Sequence, residues 1–341
     1  MIGVDIGRAS VKVVQLGFGR KGATLRYAGL TELAPADDEP AAELPLLALQ
    51  ELFRQGGGGR QKLALNVISR PPVVRYLTMP PMPKEELREA VRWEAKKLVP
   101  LPLEEMVLDY LVIGEIEDRG VKRIEVLLVA AERVAIQAQL AALEPLRPRI
   151  AALDVNPLAL LNALRLNYKN DLTNSLAYVD IGAAKMDISI ARGGMLRFTR
   201  NVQMGGDDIT KTIMRDLQVD RAEAEQLKRQ KGLSADATGE RDQRLRDAIK
   251  EAIDRLVLEV QRSIDYYRAQ FRDSDIRKIV LMGGTGLMSG FPEYFATYFD
   301  TKTELDDPFA EIICDDPAFG DLRLMAPRFS SSVGLALRES A

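Results

Sequence analysis

The chain has 341 residues, 46% hydrophobic and 28% charged, with a mean hydropathy of −0.11. That is enough apolar material for more than one core and excludes a disordered or bilayer-spanning chain. Lys and Arg number 47 against 50 Asp and Glu, a net charge of −3, so no overall basic field draws the chain to nucleic acid.

Taken in order, residues 1–5, 11–17 and 24–31 alternate as strands with glycine-containing turns between them, which predicts an antiparallel meander. Residues 41–55 carry helical periodicity, the glycine run at 56–59 ends it, and a strand resumes over 62–67. The stretch RPPVVRYLTMPPMP, residues 70–83, mixes prolines with a short strand and marks the crossing into another unit. That unit reads as an α-β-β-α module: a helix over 85–98 with Leu87, Val91, Glu94 and Leu98 on one face, strands at 107–113 and 121–130, and a helix over 132–143. Asn156-Pro157 opens a helix to about residue 166, with Asn156 expected as its cap.

The opening order then starts again. Strands are predicted at 176–180, 186–192 and 195–202, with an Arg-Gly-Gly hairpin turn. Helices follow at 206–217 and 221–231, a polar loop over 234–242, a long helix over 244–272, a strand at 276–282, and helices over 286–298 and 332–338. VDIG occurs in both copies of the meander, with Asp5 and Asp180 lying 175 positions apart, so an α/β unit is duplicated.

Histidine is absent, which removes Ser-His-Asp and Cys-His nucleophiles, histidine bases and His-rich zinc sites. Cys314 is the single cysteine and has no intrachain disulfide partner. With no leader-like segment before the first strand and no spanning or terminal amphipathic segment, this predicts a cytoplasmic chain with no direct membrane insertion.

The remaining chemistry gathers at three glycine motifs. In DIGRASVK, a strand ending in Asp5 runs into Gly7, with Ser10 as a hydroxyl donor and Lys12 as a cation: an anion nest suited to phosphate. An exposed hairpin with the same residues is the plainer alternative. DIGAAKMD repeats the pattern with Asp180, Gly182, Ala183 and Lys185. Two such turns facing each other would grip a polyphosphate, with Asp5 and Asp180 holding Mg²⁺ through its waters. The third motif, Gly283-Gly284-Thr285-Gly286 after an apolar strand, puts bare backbone beside a ligand. Gly205-Gly206-Asp207 precedes a helix, and Glu225 and Lys228 share a helical face from which they can reach ribose hydroxyls. A solvated Glu-Lys pair and an ordinary strand-to-helix turn are the plain readings of these last two.

Together these motifs resemble the phosphate 1, phosphate 2 and adenosine motifs of the actin/Hsp70/sugar-kinase superfamily. The stretch MPPMPKEELREAVRWEAKKLVPLPLEEMVLDY, with GGDDIT, RSIDYYRAQ and SVGLALR, resembles the PilM family of actin-like type IV pilus assembly proteins over essentially the whole chain. The resemblance implies an actin-like, ribonuclease H-like fold of duplicated lobes: 1–70 with 146–175 and 328–341, and 176–327, with 71–145 inserted. It also implies ATP and Mg²⁺ between the lobes, with phosphate contacts from Gly7, Ser10, Lys12, Gly182, Ala183 and Lys185. Adenosine would be held by Gly206, Glu225, Lys228 and residues 283–286. The implied partner is the N-terminal cytoplasmic tail of a PilN-like bitopic membrane protein, bound around residues 71–150, which would recruit the chain to the inner face of the membrane, with self-association open.

The sequence departs from the family pattern where hydroxyls are usual: Arg8 and Ala9 precede Ser10, and Lys185 and Met186 occupy the second turn. Each lost hydrogen bond to charged phosphate is worth about 1–3 kcal/mol, so binding is expected in preference to rapid turnover. No residue stands out as the base for hydrolysis, and at most a slow ATPase is implied. An FtsA- or MreB-like membrane-associated filament protein and a small-molecule kinase of the same superfamily are the alternative functions.

Overall fold

The computed structural model describes every residue except 34–42, 59–61, 69–71, 119, 234–238, 272–274, 316 and 341. The strand IGVDI, β1 (Ile2–Ile6), is buried along its whole length because it has neighbours on both edges and cover on both faces. It pairs antiparallel with β2 (Ser10–Gly19), which pairs with β3 (Gly22–Glu32). Helix α1 (Glu43–Leu52) then leads to β4 (Leu63–Asn66), which runs parallel to β1 on its other side. The chain divides into two units, residues 1–66 with 149–341 and residues 67–148.

The second unit is a three-stranded sheet with helices. It comprises β5 (Val73–Met79), α2 (Lys84–Leu98), β6 (Met106–Asp118), β7 (Val121–Glu132) and α3 (Arg133–Leu143), with sheet order β5-β7-β6. The predicted α-β-β-α order is present, and the short strand predicted within 70–83 is β5, which joins the same sheet by pairing antiparallel with β7 from Val73 to Met79. The buried face of α2 is Leu87, Val91 and Ala95, at four-residue intervals, rather than the face that includes Glu94 and Leu98. Leu98 is 36% exposed because the helix ends there, and the extended Val99 enters the core in its place.

In the larger unit, β8 (Ile150–Asp154), which periodicity did not reveal, adds parallel to β4 and is followed by α4 (Asn156–Asn167). The second sheet is built from β9 (Ser175–Ile181), β10 (Met186–Arg192) and β11 (Met195–Val202). Helices α5 (Gly206–Leu217), α6 (Arg221–Lys231) and α7 (Glu240–Gln270) follow, then β12 (Ile276–Met282), α8 (Phe291–Phe299), β13 (Lys302–Leu305) and α9 (Ser330–Ala336). The sheet orders β3-β2-β1-β4-β8 and β11-β10-β9-β12-β13 are the same pattern twice.

Helix α7 buries Leu245, Ile249, Ile253, Leu256, Val260 and Ile264, a stripe at three- and four-residue spacing, in the core of the second sheet. It begins at Glu240, so residues 240–242 are helix and not the predicted loop, and 234–238 lie outside the described residues. The helix predicted over 286–298 begins only at Phe291, because Gly290 is left-handed at φ 78° and proline sits in the first turn.

Helix α9 is buried throughout and returns to the first sheet, against β1 and α4. Its contact with α4 has no room for a side chain: a Cβ on Gly334 would stand 1.7 Å from the carbonyl oxygen of Ala159. Glycine inside a helix ordinarily costs about 1 kcal/mol relative to alanine. Here the sign reverses, and Gly334→Ala is expected to destabilise the fold by roughly 2 kcal/mol, the scale of core overpacking. Urea unfolding of the two proteins checks this, and a stabilised variant would show that the helices separate freely.

Candidate functional site

β1 and β9 end in equivalent turns. The Gly7 N–H donates to the Ser10 carbonyl at 3.0 Å, and the Gly182 N–H donates to the Lys185 carbonyl at 3.0 Å. Neither glycine is left-handed; the constraint is space. A Cβ on Gly7 would stand 3.2 Å from the Ser10 carbonyl oxygen and 3.3 Å from Lys12 Nζ, and one on Gly182 would stand 3.3 Å from the Lys185 carbonyl oxygen. Each glycine N–H is therefore spent on closing its own turn.

Register shows which residues correspond. Asp5 faces Lys12 across β1 and β2, and Asp180 faces Asp187 across β9 and β10. Lys185 is thus the counterpart of Ser10, not of Lys12, and the second copy has a carboxylate where the first has an ammonium.

Two asparagines that were not predicted as site residues hold these carboxylates. Asp5 accepts from Lys12 Nζ at 2.9 Å and from Asn66 Nδ2 at 2.8 Å. Asn156 Nδ2 donates to Asp180 at 2.9 Å and to Asp187 at 3.2 Å, while its Oδ1 accepts from the Ser331 hydroxyl at 2.7 Å. Asn201 also donates to Asp187, at 2.7 Å. Asn156 does not cap α4. Val155 occupies that position, which leaves the amide for the carboxylates.

Burial, and then the charges of Asp187 and Asp5, push the Asp180 carboxyl up to about 7, against the opposing pull of Lys12 and Lys185. Asp5 and Asp180, from the two sheets, therefore lie within electrostatic reach. A divalent cation is the species that relieves such repulsion. Among the described residues no three carboxylates stand close enough to ligate one ion directly, so the donor set fits Mg²⁺ held through its own water shell.

The remaining second-lobe residues surround the Gly182 turn. The N–H groups of Gly206 and Asp207 donate to the carbonyls of Gly182 and Ala183 at 2.9 and 2.8 Å, and the Thr285 hydroxyl donates to the Gly182 carbonyl at 3.0 Å. A Cβ on Gly206 would stand 2.7 Å from Thr285 Oγ1 and 3.4 Å from Lys228 Nζ. Gly283 is left-handed at φ 82°, and a Cβ there would stand 2.5 Å from Asp180 Oδ1. Gly284 lies beside Arg328, whereas the Cβ direction of Gly286 points at Leu281 and Leu305.

Glu225 and Lys228 are paired at 2.6 Å. Lys228 also donates to the Gly206 carbonyl at 3.0 Å and to Thr210 at 2.8 Å. Burial alone would raise the Glu225 carboxyl, but Lys228, Thr210 and Arg229 outweigh it and hold it at about 2. Burial draws Lys228 down despite its partner.

Among the described residues, ion contacts gather at this level, and Arg8–Asp207 and Glu32–Arg229 join the lobes. Arg8 of the first turn lies 3.2 Å from Asp207 at the start of α5, and Glu32 at the end of β3 meets Arg229 of α6 at 3.1 Å and Arg328 at 2.9 Å.

Asp306 is 2% exposed, and burial followed by Asp307 and Glu304 raises it to about 7 despite hydrogen bonds from Ser330 and Tyr168. For Asp180 and Asp306 the unshifted value is 3.8 and the folded value about 7. The folded state binds the extra proton in that window, so each contributes stability that is full below pH 3.8 and lost as the pH rises through about 7. Denaturant midpoints across this range are expected to fall less steeply in Asp180→Asn and Asp306→Asn than in the parent chain. An unchanged slope would show that these groups titrate normally.

The family model of type IV pilus assembly protein PilM matches residues 3–340. The division protein FtsA of Neisseria meningitidis serogroup B is 23% identical over 273 residues, 71% of this chain and 64% of that protein, so the chain spans less than two thirds of that relative. Among solved structures, a PilM-PilN type IV pilus biogenesis complex superposes with a TM-score of 0.85 at 26% identity, covering 100% of this chain and 98% of that one. MreB 5 of Spiroplasma citri bound to AMPPNP superposes with a TM-score of 0.52 at 13% identity, covering 99% and 95% of the two chains, a likeness of fold. No helix among the described residues is long and apolar enough to cross a membrane. With the duplicated actin-like sheets, the inserted module and a family match over nearly every residue, the chain belongs to the PilM family of type IV pilus assembly proteins.

Proposed function

We propose that the chain is an ATP- and Mg²⁺-binding scaffold of type IV pilus assembly that works beneath the cytoplasmic membrane. Its partner would be the N-terminal cytoplasmic tail of a PilN-like membrane protein, taken up by residues of the 71–150 stretch. The observation that carries this reading is the duplicated turn with its buried carboxylates held in place, Asp5 by Lys12 and Asn66 and Asp180 by Asn156.

Gly7, Ser10 and Lys12 on one side and Gly182, Ala183 and Lys185 on the other would line the phosphates, with Asp5 and Asp180 holding the waters of Mg²⁺. When bound, the ion supplies charge neutralisation between the carboxylates and the phosphates. Glu225 and Lys228, already paired, would present carboxylate and ammonium to the ribose, with Gly206 and residues 283–286 backing the adenosine. Lys12 would exchange its contact with Asp5 for a phosphate oxygen, leaving the carboxylate for the ion's water.

Nucleotide bound by both lobes favours one closure angle over others, and a partner that prefers that angle binds more tightly in its presence.

Calorimetric titration with Mg-ATP tests the site. Lys12→Ala and Asp5→Ala are each expected to weaken binding at least about tenfold, the loss of one charge-assisted contact, with the circular dichroism spectrum retained. Unchanged affinity in both would remove the site from this cleft. Titration with a synthetic PilN-like tail, with and without Mg-ATP, is expected to give saturable binding whose affinity depends on nucleotide. Equal affinity in both conditions would sever the proposed coupling, and absence of binding would remove the partner.

A further inference from the structure

Strand β6 pairs with β7 on one side, and among the described residues no strand takes its other edge. Beside it lies a groove of about 670 Å³, bounded by α2 and by Met106 to Val112 of β6. Its floor includes Leu87, Val91, Leu108 and Leu128. The sheet register shifts between Val112 and Gly114, so the regular open edge is the seven residues from Met106 to Val112.

The helix wall is basic in a regular way. Lys84, Arg88 and Arg92 line the groove at every fourth position of α2. They are exposed, and no hydrogen bond or ion pair engages them among the described residues. Like charges four apart repel on a helix by a few tenths of a kcal/mol per pair. Other cations of the same helix do find partners: Lys97 meets Glu94 at 2.7 Å, and Lys96 lies over the Trp93 ring. Acidic lining comes from Glu89 and from Asp109, whose carboxylate accepts from the Tyr110 N–H at 2.9 Å. Arg133 is spent on the carbonyls of Glu104 and Met106.

The spacings of such a wall and a strand agree. Four residues of helix rise about 6 Å, and two residues of strand rise about 6.7 Å. A strand laid beside β6 would therefore meet one basic side chain of α2 with every second residue. Val107 and Leu111 are 38% and 53% exposed on one face of β6, with Asp109 between them, and offer apolar contacts to the intervening residues.

We propose that this groove docks an extended segment of a protein partner in which acidic and apolar residues alternate, added as a fourth strand at the outer edge of β6. Its carboxylates face Lys84, Arg88 and Arg92, its apolar side chains cover Val107 and Leu111, and its backbone completes the open ladder. It is proposed as a second surface within the 71–150 stretch, separate from the one that takes the membrane-protein tail.

A fluorescent, end-capped peptide of alternating glutamate and valine, about eight residues long to match the open edge, probes it by polarisation on the full chain. Saturable binding is expected that weakens with added salt, falls about tenfold or more in Arg88→Glu/Arg92→Glu, and is lost when alternate peptide nitrogens on one edge are methylated. Thermal melting of the exposed-site variant checks that its fold is kept. Failure of the peptide to bind overturns the proposal, as does equal binding of a lysine-valine peptide, insensitivity to the charge reversal or to N-methylation, or complete displacement by the PilN-like tail, which would make the two surfaces one.

Discussion

Like charge held together by neutral donors is the condition on which the rest of the larger unit depends. Asp5 and Asp180 end the central strands of two sheets with the same order, and Asp187 lies across from Asp180. Carboxylates so placed repel, and burial deepens the repulsion because less water screens it. The structure sustains it with amide donors, Asn66 on Asp5 and Asn156 on Asp180 and Asp187, and with the ammonium of Lys12. The proposed cation and polyphosphate would complete such a site by supplying the opposite charge and its counterpart.

Asn156 connects this arrangement to the scaffold. It stands at the first turn of α4, its amide nitrogen on the carboxylates and its oxygen on Ser331 of α9. Those two helices meet where Gly334 leaves no gap against the Ala159 carbonyl. The acidic cluster is thus bonded to a tightly packed helix pair. Tight packing favours a small number of discrete arrangements over continuous sliding. The ion contacts Arg8–Asp207 and Glu32–Arg229 bridge the lobes at the level of the turns.

Much of the architecture was legible because hydrophobic period and turn residues are local signals. The repeated meander, the long helix and the inserted helices all follow from them. The two missed strands, β8 and β13, are five and four residues long with little or mixed burial, so alternation had little length in which to appear. The helix after the third glycine motif was started too early because Gly290 and the following proline act through backbone geometry rather than apolar spacing. At the site, the glycines and acids were visible as motifs. Asn66 and Asn156 were not, since a single asparagine at a strand end or beside proline reads first as a cap or a turn residue.

By itself the sequence determined that an α/β unit is duplicated, that histidine chemistry is absent, and which acids and glycines the two copies share, because composition, period and repetition need no partner in space. It also carried the family resemblance. The common offset of the two VDIG copies pairs Lys185 with Ser10 and Asp187 with Lys12, and strand register across each sheet agrees with it. Only the tertiary structure showed that Asp5 and Asp180 approach each other, and that three cations of α2 line an open strand edge. Those facts depend on distances between residues far apart in the chain, which are fixed when the sheets and helices bury their apolar faces.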